Sequence, residues 1–127
     1  MANNRVLLAD SSPLIALDMG EFLSEAGFMP VGPAFHVEAA RSLAMTEPLG
    51  GAVLDIALNG EPVWPVTEIL HRRGIPFILL ITHPLDIANL PPSCHEARLV
   101  EKPFVPGLLV STLASIAKPL RGDPGAA

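Results

Sequence analysis

Three charged side chains stand at the ends of short apolar runs in this sequence. Asp10 follows the run Arg5 to Ala9, while Asp55 and Lys102 stand at the ends of two later runs. Two carboxylates and an ammonium that met at one place would suit a hard divalent cation and a phosphoryl group, because Mg²⁺ prefers oxygen ligands and lysine binds phosphate as a point charge. Neither G-x-x-x-x-G-K-[ST] nor G-x-G-x-x-G occurs, so a nucleotide-binding loop is not indicated.

Apolar runs alternate with stretches of helical periodicity along the chain, which is typical of an α/β fold. The runs are apolar enough to be buried on both faces, and this predicts a five-stranded parallel sheet between two layers of helices. The predicted strands are Arg5 to Ala9, Phe28 to Gly32, Ala52 to Ile56, Pro76 to Ile81 and Ala97 to Glu101, and the predicted helices are Pro13 to Ala26, His36 to Thr46, Pro62 to Arg73, a short segment at Asp86 to Asn89, and one from Pro106 onwards.

The order of the elements also predicts where a site would lie. In an open parallel sheet, ligands bind beyond the carboxyl ends of the strands. Asp10, Asp55 and Lys102 all stand at such ends, so we expect them to converge at one edge of the sheet. Pro30 indicates that the second strand is an edge strand, and the strand that ends at Ile81, as the most apolar, is expected to be central.

The composition limits the classes of protein to consider. The chain has 127 residues, half of them hydrophobic and 17% charged, with a net charge of −5. We expect one domain, residues 1–120, followed by a flexible tail at 121–127. The acidic balance does not favour general binding of nucleic acid or anionic membranes. The longest apolar stretch, Ile75 to Ile81, is far shorter than the ~20 residues that span a bilayer, and with one cysteine we expect a soluble cytoplasmic protein.

Four segments together resemble the receiver domains of response regulators, the CheY-like family of two-component systems. The segments are Val6 to Pro13, Val53 to Glu61, Gly74 to Phe77 and Val100 to Phe104. The segments around Asp55 and Lys102 are each modestly specific, and their shared order and placement match the family. The resemblance covers about Arg5 to Lys118 and implies a flavodoxin-like (βα)5 three-layer fold. It also implies a phosphoacceptor signalling domain rather than an enzyme.

The resemblance implies roles for individual positions. Asp55 corresponds to the aspartate that accepts a phosphoryl group as a nucleophile, and Lys102 to the lysine that pairs with this carboxylate and then with the phosphoryl oxygens. The peptide bond between Lys102 and Pro103 is expected to be cis. Asp10 corresponds to the first of two acidic metal ligands. Together with Asp55 and the backbone carbonyl of Ala57, it would bind Mg²⁺.

Two positions depart from the family pattern. The second acidic ligand falls on Ser11, whose neutral hydroxyl predicts weak Mg²⁺ binding. The hydroxyl-bearing switch residue at the end of the fourth strand falls on Ile81, which offers no hydrogen bond. Thr82 follows, but adjacent strand residues point to opposite faces, so we expect at most an auxiliary role for it. The fourth helix, broken by prolines and therefore degenerate, is a third and softer departure.

The sequence therefore predicts a single-domain receiver in a two-component phosphorelay that signals by protein contact. The expected partners are a sensor histidine kinase or a histidine phosphotransfer protein, a downstream protein, and a second copy of the chain in a homodimer through the last helix. Glu61 is expected to be a surface residue in the first turn of a helix. An auxiliary contact to the metal is the other role considered for it.

Other functions stay open at this point. A pseudo-receiver, an interaction module that works independently of phosphorylation, is the main alternative, because Ser11 and Ile81 both remove groups that the chemistry uses. A flavin-binding flavodoxin is disfavoured, since the loop Asp10 to Pro13 is too short and too acidic to bind a phosphate. A haloacid-type hydrolase would need a second acid two residues after Asp10, which is absent. Adjacent Cys94 and His95 have a poor spacing for a transition metal.

Overall fold

A computed structural model describes residues 4–83 and 85–116 of the chain. It contains a five-stranded parallel sheet with helices packed on both faces, which confirms the predicted architecture. The strands are β1 (Arg5–Ala9), β2 (Met29–Ala34), β3 (Gly51–Asp55), β4 (Ala57–Leu58), β5 (Glu61–Pro62), β6 (Phe77–Ile81) and β7 (Arg98–Glu101). The helices are α1 (Pro13–Glu25), α2 (Val37–Thr46), α3 (Trp64–Arg72), α4 (Leu85–Ala88) and α5 (Pro106–Ile116).

The strand order across the main sheet is β2-β1-β3-β6-β7, and each neighbouring pair is parallel. β2 is an edge strand, as Pro30 predicts. β6 has a neighbour on each side, although β3 rather than β6 occupies the middle of the sheet. The register places Asp55 beside Leu80 and Ile81 beside Glu101, so the carboxyl ends of β3, β6 and β7 reach the same edge.

The sheet separates two hydrophobic cores, and alternate residues of each strand face one core or the other. The core against α1 and α5 contains Val6, Leu8, Val53, Ile78, Leu80 and Val100. The core against α2 and α3 contains the intervening residues, among them Leu7, Leu54 and Leu79. Because this alternation has a period of two, it also determines which face each strand end presents.

Local sequence explains where α1 begins and ends. The hydroxyl of Ser12 accepts a hydrogen bond from the N–H of Ile15 at 3.4 Å, and Pro13 occupies the first turn, as predicted. Met19 and Leu23 are buried against the sheet. Gly27, just beyond the helix, has φ +94, a conformation that glycine adopts without steric cost.

The connection between β3 and α3 differs from the prediction. Residues 57–62 form an antiparallel hairpin, β4 and β5, and α3 begins only at Trp64. Asn59 and Gly60 form the turn with φ values of +49 and +84, which suit a tight hairpin. Glu61 is therefore an exposed hairpin residue rather than part of the first turn of a helix.

The connection between β6 and β7 contains little helix. α4 is 4 residues long and is followed by a short 3-10 turn at Pro92–Cys94, which confirms the degenerate fourth helix. Cys94 is a buried free thiol. The tail predicted at 121–127 lies outside the described residues. In the part of the chain that the structure describes, helices are too short or too polar to cross a membrane.

β2 is irregular at Gly32. The register between β1 and β2 shifts between Leu7 and Ala9, and Gly32 has φ +110. A Cβ at this position would lie 2.8 Å from the nitrogen of Ala34 and 2.9 Å from the carbonyl oxygen of Leu8. Because both contacts are with backbone atoms, glycine is the residue that allows this close approach of the edge strand.

Candidate functional site

The three charged residues identified from the sequence meet at the carboxyl edge of the sheet. Nζ of Lys102 donates hydrogen bonds to Oδ2 of Asp10 at 2.9 Å and to Oδ2 of Asp55 at 3.0 Å. The exposed fractions of the side chains are 1% for Asp10, 13% for Asp55 and 15% for Lys102. One ammonium therefore bridges two carboxylates, which leaves a single net negative charge when all three groups are ionised.

Asp10 is held through both of its carboxylate oxygens. Oδ1 accepts a hydrogen bond from the N–H of Ser12 at 2.9 Å, and Oδ2 accepts the bond from Lys102. The N–H of Asp10 donates to the carbonyl of Ala34 at 3.1 Å, which joins the end of β1 to β2. The carboxylate is thus fully partnered and closed to solvent, as a buried charge must be to persist.

Asp55 is the more open of the two carboxylates. It is the last residue of β3 and stands at the rim of the sheet. Burial raises the pKa of its carboxyl above the ordinary value of 3.8, and the hydrogen bond from Lys102 opposes this shift without cancelling it. A carboxylate with a raised pKa is more basic, and in its ionised form it is a stronger nucleophile.

Lys102 directly follows β7, and its position is fixed by the backbone. Its N–H donates to the carbonyl of Ile81 at 2.8 Å, and its peptide bond to Pro103 is cis, as expected. Burial lowers the pKa of the ammonium, but the hydrogen bonds and charges of Asp10 and Asp55 outweigh burial, so the pKa is raised overall. The site therefore holds a stable positive charge between its two carboxylates.

The end of β6 differs from the expectation that Thr82 points away from the site. Leu80 and Val100 both face the core beneath α1 and α5, and Thr82 and Lys102 lie two residues beyond them. Thr82 and Lys102 line one cavity, whereas Ile81 is buried, with 4% of its surface exposed. The structure therefore places Thr82, rather than Ile81, on the face of the sheet that carries Lys102, because Thr82 shares the phase of Leu80 in β6.

Asp86 accepts hydrogen bonds from the backbone around Thr82, a role that the sequence analysis does not predict. Its Oδ2 accepts hydrogen bonds from the N–H groups of His83 at 2.9 Å and Thr82 at 3.0 Å. These bonds lower the pKa of the Asp86 carboxyl. An aspartate a few residues after a strand end, ready to accept from the backbone of the turn, is the signal that would have identified it.

The other predicted metal-binding positions add few oxygen ligands. Ser11 is half-buried at the position of the second acidic ligand. The carbonyl of Ala57 receives no hydrogen bond from its hairpin partner Pro62, since proline has no N–H. Glu61 is exposed on the same hairpin. Among residues 4–83 and 85–116, no group of three or more His, Cys, Asp or Glu side chains is placed to bind a metal.

An apolar cavity of about 490 Å³ opens beside Lys102. α1 lines one side of it, and the chain that follows β7 lines the other. The lining residues are Ile15, Asp18, Phe22, Thr82, Lys102, Pro103, Phe104 and Pro106. The predominance of apolar side chains suits contact with side chains of another protein at the edge of the site.

No model of a known protein family matches the chain, and no curated protein matches its sequence. Solved structures do match it. SdrG from Sphingomonas melonis Fr1 is 29% identical with a TM-score of 0.76, and the match covers 91% of this chain and 98% of SdrG. The receiver (REC) domain of the response regulator PhyR from Erythrobacter litoralis is 25% identical with a TM-score of 0.76, over 91% of each chain.

A longer response regulator also matches. PhyR from Brucella abortus is 30% identical with a TM-score of 0.75 over 92% of this chain. The chain spans about half of that protein, 48% of its length. The similarity therefore extends over nearly all of this chain and over one part of the longer protein.

Proposed function

We propose that this chain, which is a response regulator receiver domain by its fold and its similarity to solved receiver domains, accepts a phosphoryl group on Asp55 and signals by protein contact. The observation that carries the proposal is the bridge from Lys102 to Asp10 and Asp55. It lies beyond the carboxyl ends of the strands, where open parallel sheets bind their ligands. Such a domain is a phosphoacceptor rather than an enzyme.

Exposure distinguishes the two carboxylates as acceptors. Asp10 is 1% exposed, and both of its oxygens accept hydrogen bonds from the protein, so an incoming phosphorus atom has no approach to it. Asp55 is 13% exposed and ends its strand at the rim. Asp55 is therefore the nucleophile in this proposal, and Asp10 holds Lys102 in place.

The reaction would transfer a phosphoryl group from a phosphohistidine of the donor. An oxygen of Asp55 forms a P–O bond while the P–N bond of the donor breaks. The electron pair of the P–N bond leaves with the imidazole, which takes up a proton. Negative charge spreads over the phosphoryl oxygens in the transition state, and the ammonium of Lys102 stabilises it without having to move into place.

The oxygen groups at this edge fit Mg²⁺ as a weakly bound cation. Asp10 and Asp55 offer carboxylates and Ala57 offers a backbone carbonyl, all ligand types that Mg²⁺ accepts. Asp10 is closed to solvent, so it would have to exchange a hydrogen bond for the metal. Ser11 adds no charge, and Lys102 already neutralises part of the carboxylate pair. When bound, Mg²⁺ would neutralise charge on the phosphoryl oxygens.

Thr82 is the residue that would respond to the new phosphoryl group. It shares a cavity with Lys102, and a threonine hydroxyl on this side of the site could donate to a phosphoryl oxygen. Asp86 binds the backbone of Thr82 and His83 and belongs to α4. A movement of Thr82 toward the phosphoryl group would therefore displace the start of α4.

The proposed donor is a sensor histidine kinase or a histidine phosphotransfer protein, and a downstream protein would recognise the phosphorylated form. A homodimer through α5 is the other interaction we propose, because Leu108 on this helix is exposed and Val110 is only half-buried. The compartment we propose is the cytoplasm. Neither nucleic acid nor a membrane is among the proposed partners.

A pseudo-receiver that acts without phosphorylation is the alternative. Ser11 favours it, because within the described residues no third acidic side chain joins Asp10 and Asp55 in a metal-binding group. Fewer anionic ligands weaken a divalent cation, and the transfer chemistry depends on that cation.

Intact mass spectrometry after incubation with acetyl phosphate and Mg²⁺ tests the proposal. We expect one phosphoryl adduct on the natural chain and none on Asp55→Asn. Glu25→Gln, which alters an exposed carboxylate at the end of α1, should behave like the natural chain. No adduct on a folded natural chain at high Mg²⁺ would favour the pseudo-receiver. An adduct that persists in Asp55→Asn would place the acceptor elsewhere.

A further inference from the structure

We infer that the groove between α2 and α3 binds an acidic, partly apolar segment of a partner protein, an inference that rests on the proposed signalling by protein contact. The groove has a volume of about 500 Å³ and lies on the outer surface of the two helices. Its lining includes Arg41, Arg72 and Arg73 together with Met45 and Ile69. We call this surface the α2–α3 groove.

Positive charge is concentrated in the α2–α3 groove. The chain has 8 lysine and arginine residues in total and a net charge of −5, yet three of its arginines line this one groove. Glu68 also lines the groove, and Glu38 pairs with Arg41 from the preceding turn of α2. Three guanidinium groups against two carboxylates leave the surface positive, which favours a negatively charged ligand.

The three arginines do not have the same role. Arg73 is a structural residue, because its Nη1 donates to the carbonyls of Ala44 and Glu47 and so joins the end of α3 to the end of α2. Arg41 is 45% exposed, and its ion pair with Glu38 is long at 3.5 Å, so that pair holds it weakly. Arg72 is exposed at the last residue of α3. Arg41 and Arg72 are thus the groups that meet a ligand.

The apolar part of the α2–α3 groove indicates that the ligand is more than an anion. Met45 is 53% exposed and lies beside the buried Ile69. Exposed methionine next to arginine is the composition of a protein-binding surface, because methionine adapts its shape and arginine binds carboxylates with two parallel hydrogen bonds. The ligand therefore combines carboxylates with at least one apolar side chain.

The α2–α3 groove continues toward the phosphoacceptor site. A neighbouring cavity of about 540 Å³ shares Pro65 and Glu68 with the groove and is also lined by Glu61 and Trp64. Glu61 belongs to the hairpin that directly follows Asp55, and the N–H of Val63 at its end donates to the carbonyl of Ile56 at 3.0 Å. A short, hydrogen-bonded connection therefore joins Asp55 to the start of α3.

A protein segment fits the α2–α3 groove better than a nucleic acid. Binding of nucleic acid depends on neutralising several phosphates at once, whereas Arg73 is engaged with carbonyls, which leaves Arg41 and Arg72 to meet a ligand in this groove. The two available guanidinium groups match one or two carboxylates of a peptide.

Amide NMR shifts of the full-length ¹⁵N-labelled chain test this inference. The probe is a synthetic peptide with glutamate and leucine at helical spacing, added with and without prior treatment by acetyl phosphate. Its controls are the same peptide with lysine in place of glutamate, and a single-stranded oligonucleotide. We expect the acidic peptide to shift the amides of residues 41, 45 and 72, and the Arg41→Glu/Arg72→Glu variant to weaken its binding about tenfold or more.

Matched variants make the result decisive. Arg98→Glu reverses an exposed arginine that lines a different cavity and should leave peptide binding unchanged. Arg41→Gln/Arg72→Gln repeats the test with a milder change, and both pairs keep Arg73. Shifts on another face, equal binding of the oligonucleotide, or binding unaffected by either pair would overturn the inference. If the Arg41→Glu/Arg72→Glu variant still takes up a phosphoryl group while the natural chain binds no peptide, the inference about the α2–α3 groove is wrong and the proposed function stands.

Discussion

Nζ of Lys102 lies 3.0 Å from Oδ2 of Asp55, although 47 positions separate the two residues along the chain. Their strands are not neighbours, because β6 lies between β3 and β7 in the sheet. The long side chain of Lys102 spans β6 at its carboxyl end and reaches Asp10 beyond Asp55 as well. This contact holds the ends of β1, β3 and β7 together, so we expect Lys102 to contribute to the free energy of unfolding as well as to the chemistry of the site.

Lys102→Met should destabilise the fold by about 3 kcal/mol, because two largely buried carboxylates would lose their shared cation. Arg98→Met, at an exposed position at the start of β7, should change the free energy of unfolding by less than about 0.5 kcal/mol. Adding Asp55→Asn to Lys102→Met should restore part of the loss, since one unpaired charge is removed. Urea unfolding of the four chains measures all three effects, and equal losses for Lys102→Met and Arg98→Met would contradict the expectation.

The raised pKa of Asp55 predicts a pH dependence of stability with a definite sign. The folded chain binds a proton at Asp55 more tightly than the unfolded chain, whose carboxyl has the ordinary value near 3.8. Lowering the pH through the raised value toward 3.8 should therefore stabilise the natural chain relative to Asp55→Asn. Urea unfolding of both chains between neutral pH and pH 4 gives the difference, and a difference that moves the other way would show that Lys102 outweighs burial.

Thr82→Val should accept a phosphoryl group but lose the structural response to it, because the hydroxyl that we propose as the donor to a phosphoryl oxygen is gone. Thr82→Ser should keep the response. Amide shifts of the segment after β6 upon treatment with acetyl phosphate measure it. Ile81→Val serves as the control, since a buried methyl group lost there should cost about 1 kcal/mol of stability and leave the response intact. A response that survives in Thr82→Val but not in Ile81→Val would reassign the role to Ile81.

Ser11→Asp should tighten Mg²⁺ binding about tenfold by adding a second acidic ligand next to Asp10. Isothermal titration of Mg²⁺ into the natural chain and the variant measures the change. Ser24→Asp adds the same charge at an exposed position of α1 and should have little effect. Equal gains from both variants would mean that overall charge, rather than a ligand at position 11, governs the affinity.

Two glycine-to-alanine variants should change stability in opposite directions. Gly32→Ala should cost more than about 2 kcal/mol, because its Cβ would meet backbone atoms at 2.8 and 2.9 Å in a left-handed conformation. Gly107→Ala lies in α5 with no heavy atom within 4 Å of the new Cβ, so it should stabilise the fold by about 0.5–1 kcal/mol. Thermal unfolding distinguishes them, and a neutral Gly32→Ala would show that β2 relaxes.

Much of the fold follows from local properties of the sequence. Buried strands need apolar runs and amphipathic helices need a period near 3.6, so the order of strands and helices is readable before any contact is known. The same reasoning predicts that Asp10, Asp55 and Lys102 converge, because each closes a parallel strand. Pro30 marks the edge strand for a similarly local reason: it cannot donate to a second neighbour.

The hairpin after Asp55 is harder to predict from the sequence. Proline suits a first helical turn, so Pro62 indicates the start of a helix, but it also suits the end of a short strand that needs no N–H. The Asn59-Gly60 turn favours the hairpin, and its pairing of Leu58 with Glu61 delays the helix to Trp64. Two local signals therefore point to different structures here, and the chain adopts the hairpin.

By itself, the sequence determined the layered architecture and the set of charged residues at one edge of the sheet. The tertiary structure decided which neighbouring residue at the end of β6 faces that edge. Alternation along a strand is a local property, but which set of residues faces which core depends on packing between elements. In β6, Leu80 packs in the same core as Val100, and this determines the face to which Thr82 belongs. Thr82 rather than Ile81 therefore stands beside Lys102, and likewise the arginines of α2 and α3 form one groove only because the two helices pack side by side.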